Sequence, residues 1–70
     1  MTLEEIGKEI SIKRKALEIT QQDLAEMSEV TSKTISQLEN GLANPSFQTL
    51  EKILDVLGLV IAINQKTENL

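Results

Sequence analysis

The sequence contains no cysteine, no histidine, no tryptophan and no tyrosine, and its one aromatic residue is Phe47. Without cysteine there is no disulfide and no thiolate metal site. Without histidine the commonest general base and metal ligand are missing. No Gly-rich phosphate loop or pocket of clustered carboxylates makes up for these losses. The expectation is no enzyme, no cofactor and no metal, although Asp, Glu, Lys and Ser chemistry is not excluded by composition. No apolar run approaches the roughly 18–20 residues that cross a bilayer. The start, Met1-Thr2-Leu3-Glu4-Glu5, is acidic and lacks the basic-then-apolar order of a secretory signal. The expected setting is the cytoplasm, with no membrane partner.

What is present is a globular composition, 40% hydrophobic and 26% charged in 70 residues, carried by Ile, Leu and Val. That length holds one domain. A domain near 60 residues buries only about 60% of the surface its unfolded chain exposes. A core this small is marginal alone, so dimerisation is expected. The net charge of −4 opposes binding to a polyanion. Its distribution softens the objection: Lys13, Arg14 and Lys15 sit together, Lys33 lies further on, and Glu51, Asp55 and Glu68 fall in the last third.

Four helices can be read from caps and periodicity. Thr2 followed by Glu5 has capping-box spacing, and Ile6, Ile10, Arg14 and Leu17 form one stripe of a helix from Leu3 to Leu17. Ile12 lies off that stripe. Thr20 with Asp23 starts a second helix, Gln21 to Met27, whose apolar side is Leu24, Ala25 and Met27. Ser28-Glu29-Val30 breaks it. Thr31 or Ser32 caps a third helix to about Glu39, with Ile35 and Leu38 inward and Asn40-Gly41 as its stop. Pro45 disfavours helical backbone at Asn44. A fourth helix then runs from about Ser46 to Leu57, with Phe47, Leu50, Ile53, Leu54 and Leu57 on one face, and Gly58 stops it. Leu59-Val60-Ile61-Ala62-Ile63 is rich in β-branched residues and reads as a strand. A lone strand is unstable without a partner. Nothing else in the chain reads as one, so the partner is a second copy or another protein. The alternative is an extended arm packed on its own domain.

Two short helices joined by a tight turn have the geometry of a helix-turn-helix. The second of them turns Ser32, Lys33, Ser36 and Gln37 outward. Ser and Gln hydrogen-bond base edges, and Lys reaches guanine O6 or N7. On their own, these side chains favour a plain solvated face.

Spaced elements decide between the two. Thr20-Gln21-Gln22-Asp23-Leu24-Ala25, Val30-Thr31, Thr34-Ile35-Ser36-Gln37-Leu38-Glu39-Asn40-Gly41 and Asn44-Pro45-Ser46 together resemble the Cro/CI-type (XRE) helix-turn-helix family, over roughly residues 6 to 58. The resemblance implies an all-α, lambda-repressor-like domain of four to five helices over residues 1–58. Its third helix would dock in the major groove of double-stranded DNA. It implies a phosphate contact for Gln21, base reading by Ser32, Lys33 and Gln37, and phosphate or base contacts by Thr31, Thr34 and Ser36. Asn40 matches a phosphate contact near the backbone. Arg14 and Glu39 match a structural pair tying the first helix to the third.

The chain departs from the family pattern at three places. Glycine is usual where Glu18 and Glu29 stand, and the loop after Gly41 (Leu42, Ala43) lacks the usual basic residues. A helix-turn-helix domain followed at once by a short C-terminal β-strand (residues 59–64) and a polar tail (65–70) resembles HipB-type antitoxins. In that group the strands Leu59, Val60, Ile61, Ala62 and Ile63 match pair between the subunits of a homodimer. The resemblance implies repression of the chain's own operon at a palindromic operator and binding of a HipA-like kinase toxin. The alternatives are a stand-alone phage-type regulator without a toxin, and a mainly protein-binding antitoxin with weak DNA affinity.

Overall fold

Four hydroxyl side chains open four helices. In the computed structural model, which describes residues 1–64, Thr2, Thr20, Thr31 and Ser46 stand in extended backbone. Each accepts a hydrogen bond at 2.9–3.1 Å from the amide three residues on. An N-cap of this kind satisfies an otherwise orphaned donor and contributes about 1 kcal/mol. The helices they start are α1 (Leu3–Ala16), α2 (Gln21–Ser28), α3 (Ser32–Glu39) and α4 (Phe47–Val56). Glu5 and Asp23 complete the boxes, accepting from the amides of Thr2 and Thr20 at 2.7 and 2.9 Å. Thr31, and not Ser32, caps α3.

The helix ends share one device. At each, the chain turns through a left-handed residue whose amide bonds back across the last turn, and the following amide reaches one residue further. After α1 these are Glu18 to Lys15 and Ile19 to Arg14; after α2, Glu29 to Glu26 and Val30 to Ala25. After α3 they are Gly41 to Leu38 and Leu42 to Gln37; after α4, Gly58 to Asp55 and Leu59 to Leu54. This is the Schellman pattern. The residue after each turn is apolar, and Ile19, Val30 and Leu59 pack against the core. Gly41 and Gly58 take φ of 72° without penalty, but Glu18 and Glu29 are held at 60° and 61°.

A side chain in left-handed backbone costs about 1–2 kcal/mol. Glycine returns roughly 0.4–1 kcal/mol of that through the greater freedom of its unfolded chain. Glu18→Gly and Glu29→Gly are each expected to stabilise the domain by about 0.5–1 kcal/mol. Thermal melts should rise by a few degrees in each variant, since 1 kcal/mol moves a domain of this size by about 4–8 °C. A fall in both would contradict the strain assigned to these turns.

The core is small. Ile10, Leu24, Ile35, Leu38 and Ile53 are fully buried, with Ala25, Leu50, Leu54 and Leu57 beside them. α3 packs against both α1 and α2, and α2 packs against α4. Gly7 of α1 is buried where the backbone of α3 passes closest.

Three expected core contributors lie outside it. Met27 is 58% exposed because the buried arc of α2 is Leu24, Ala25 and Ser28, and Met27 falls past its edge. Phe47 is 61% exposed because it opens the first turn of α4, ahead of the Leu50–Leu54 face. Leu17, at the cap of α1, is also exposed. The strand expected over Leu59–Ile63 is absent from the single chain: these residues carry no regular structure. A strand needs a second one, and the described residues offer none. The expected polar tail at 65–70 lies outside the described residues.

Candidate nucleic-acid interface

The rotation of α3 about its axis is set by what α2 buries. Leu24 and Ala25 are the buried apolar residues of α2, which packs on α3, and Ile35 and Leu38 are the α3 residues fully withdrawn from solvent. Ser28 is buried with them and donates its hydroxyl to the Leu24 carbonyl, so its burial leaves no unpaired group. With Ile35 and Leu38 inward, helical periodicity puts Lys33, Gln37 and Asn40 on one outer stripe and Ser32 and Ser36 on the next.

Thr31, Ser32, Lys33, Gln37 and Asn40 are exposed. Thr34 is half-buried, and so is Ser36, which was expected to face outward. The Thr31 and Thr34 hydroxyls lie 2.9 Å apart, and Thr31 also accepts from the Thr34 amide at 3.1 Å. Both are therefore engaged in the cap of α3. Lys33 is the one cation of α3, and no free acid stands on that helix. Its single carboxylate, Glu39, is bound.

Glu39 ties three helices. Arg14 of α1 donates through Nε to Glu39 Oε2 at 2.7 Å and through Nη2 to Oε1 at 2.9 Å. Its Nη1 donates to the Ile19 carbonyl at 2.8 Å, fixing the α1–α2 turn. Gln21 of α2 donates through Nε2 to Glu39 Oε1 at 3.0 Å. The side chains of Arg14 and Glu39 are only 11% and 6% exposed. Burial pushes the Glu39 carboxyl up, but the Arg14 and Gln21 hydrogen bonds and the Arg14 charge outweigh it, holding the group below the ordinary glutamate range.

The Arg14–Glu39 pair stands where the sequence put it. The link from Gln21 had no sequence signal, because 18 residues separate Gln21 from its acceptor. It anchors a side chain expected to face phosphate, and leaves that amide one free N–H and its carbonyl. Thus α1, α2 and α3 meet at one polar knot directly behind the exposed face of α3.

Residues 10–60 match the helix-turn-helix family. The chain belongs to that family, in its Cro/CI-type class. No curated protein matches it. Membership makes this helix-turn-helix protein a DNA-binding transcriptional regulator, and it gives the outward face of α3 its meaning. The match begins at the centre of α1, so it includes Arg14 as well as the α2–turn–α3 unit. No helix among the described residues is long and apolar enough to cross a membrane.

Proposed function

We propose that this helix-turn-helix protein is a repressor that reads a palindromic operator as a homodimer. Ser32, Lys33 and Gln37 would touch base edges, with Gln21, Thr31, Thr34, Ser36 and Asn40 against phosphate or flanking bases. The observation that carries the reading is the exposure of Lys33 and Gln37 on an α3 whose only acid is neutralised by Arg14. A net charge of −4 makes the local balance decisive, because a free carboxylate at the groove would oppose approach to the phosphates.

Lys33→Ala and Gln37→Ala are expected to weaken operator binding by about 1–3 kcal/mol each, while leaving helix content unchanged. Titration at fixed salt against operator and scrambled duplexes checks this. A wild type that binds both duplexes equally, with only salt dependence, would remove the claim of sequence reading.

The segment Leu59, Val60, Ile61, Ala62 and Ile63 would supply the dimer contact by pairing with its equivalent across a two-fold axis. Its support is a run without regular structure that carries Val60 and Ile63 at 86% and 96% exposure. An antitoxin role with a HipA-like kinase partner is a second reading, and autoregulation would go with it. The exposed Ile12, at 56%, favours it as an apolar contact left over by the fold. Co-expression with a kinase encoded beside the gene, followed by co-purification, tests it.

A further inference from the structure

Of the four asparagines in the chain, Asn40 alone precedes a glycine. In such a pair the backbone nitrogen of the glycine can attack the side-chain amide carbon of the asparagine. A C–N bond closes a five-membered succinimide, the Gly41 amide proton passes to the departing nitrogen, and ammonia leaves. Water then opens the ring at either carbonyl, leaving an aspartyl or isoaspartyl residue with one new carboxylate. Glycine favours the step because no side chain crowds its nitrogen. Asn44 is followed by Pro45, which has no amide hydrogen to give up.

We propose that Asn40 is a site of spontaneous deamidation that weakens operator binding, and that the last turn of α3 sets its rate. The proposal rests on the operator reading above and adds to it a route by which binding is lost. Three observations carry it.

The first is the anchoring of the turn. Each helix ends in the same pair of backbone hydrogen bonds, and after α1, α2 and α4 the next apolar residue (Ile19, Val30, Leu59) packs against the core. After α3 that residue is Leu42, and it is 77% exposed. The end of α3 is therefore held without a packed side chain behind it. Segments with few buried apolar contacts open locally at low cost.

The second is what the closed turn does to the reaction. Asn40 has ψ of 4°, which eclipses its own nitrogen with that of Gly41. Ring closure needs the Asn40 Cβ in that place, roughly a third of a turn away about the same bond. The Gly41 amide is also held, donating to the Leu38 carbonyl at 3.0 Å, while the Leu42 amide donates to Gln37 at 2.8 Å. Rotation about Asn40 breaks both hydrogen bonds, so attack proceeds from the opened turn.

The third is where the new charge falls. Asn40 is exposed, beside Lys33 and Gln37 on the outer stripe of α3. A carboxylate there replaces an amide donor with an anion facing phosphate. It also stands at the negative pole of α3. Glu4 of α1 lies beside Gly41, its Cγ 3.1 Å from where a side chain would begin. Arg14 is already bound to Glu39 through two hydrogen bonds.

The test is incubation of the full chain at mildly alkaline pH, with peptide mass mapping and an isoaspartyl assay. Asn40 should convert in the folded chain at least about tenfold more slowly than in urea, the ratio reporting the cost of opening. Saturating operator duplex should slow it further. The converted fraction, purified and checked by circular dichroism, should bind operator about tenfold or more weakly. Asn40→Asp should reproduce that loss. Asn40→Ser, which cannot close the ring, should hold its own affinity constant through the same incubation. A folded chain unmodified at Asn40 after the urea sample has fully converted overturns the proposal. Equal rates in the two samples overturn the gating by the turn, and converted protein that binds as tightly as fresh protein overturns the loss of binding. A fresh wild type that does not prefer operator to scrambled duplex overturns the operator reading instead, while conversion at Asn40 is still decided by mass.

Discussion

Gly7→Ala should remove a large share of the folding stability of this protein. A Cβ at Gly7 would collide with the carbonyl oxygen of Leu38 and lie 2.9 Å from its carbonyl carbon. Both atoms belong to the backbone of α3, so no rotamer change relieves the contact. The two helices must separate, and Ile10 and Leu38, both fully buried, would lose part of their packing. Overpacking a well-filled core costs about 1–3 kcal/mol where side chains can adjust, and more where they cannot. Alanine gains about 1 kcal/mol over glycine in helix propensity. The sign of the result therefore separates the two effects. A net loss of about 2–4 kcal/mol is expected, a large share of what a domain this small has in reserve. Urea denaturation of the variant beside wild type reads it directly. Equal or greater stability would show that α1 and α3 do not approach as closely as described. The same substitution should lower operator affinity only through the folded fraction, because Gly7 lies away from the exposed stripe of α3.

Most of the helical frame was legible in the sequence, because its signals are local. Thr2, Thr20, Thr31 and Ser46 mark helix starts through a hydroxyl that reaches its own chain three residues on, and Gly41 and Gly58 mark two of the stops. The inward rotation of α3 was legible too, since Ile35 and Leu38 are its only apolar residues. Gly7 was not. Its role depends on where a distant helix passes, and a glycine within a helical pattern says nothing of that. Met27 and Phe47 were misplaced for a related reason. Periodicity gives the centre of an apolar face, but its width is set by what packs against it. The expected strand is not shown by the single chain on the same ground: Leu59–Ile63 has the composition of a strand, but pairing is a property of two segments. The left-handed turns at Glu18 and Glu29 were marked by the family's usual glycines, and the structure keeps the conformation without them.

Of the site, the Arg14–Glu39 pair carries the second large effect. Arg14→Met removes the cation from a carboxylate that is 6% exposed, leaving it only the uncharged donors Gln21 and Ser11. Breaking a buried pair from one side costs about 3–5 kcal/mol, because the remaining charge is desolvated without compensation. The guanidinium reaches the surface in part, so about 3 kcal/mol is expected at neutral pH. The pH dependence shows whether the effect is electrostatic. In the wild type, Glu39 is held below its unfolded value, as are Glu5 and Asp23, where the Thr2 and Thr20 backbone hydrogen bonds act first. Such groups lend stability above the unfolded carboxylate range, near pH 4, and lose it as pH falls through the lowered folded value. The wild type should therefore weaken steadily below about pH 4. In Arg14→Met the sign reverses for Glu39 alone. Burial now dominates, its folded value rises above the unfolded one, and protonation on acidification relieves a penalty present at neutral pH. The stability gap between the two proteins should be widest near pH 7 and should narrow toward pH 4. The double variant Arg14→Met/Glu39→Leu should recover much of the loss, since an apolar pair of similar volume leaves no charge to desolvate. It would also free the Gln21 amide, and operator affinity measured on that refolded background isolates what the knot contributes to holding Gln21. A gap that stays constant from pH 7 to 4 would mean that Arg14 acts by packing its alkyl stem, and the knot would lose its electrostatic character.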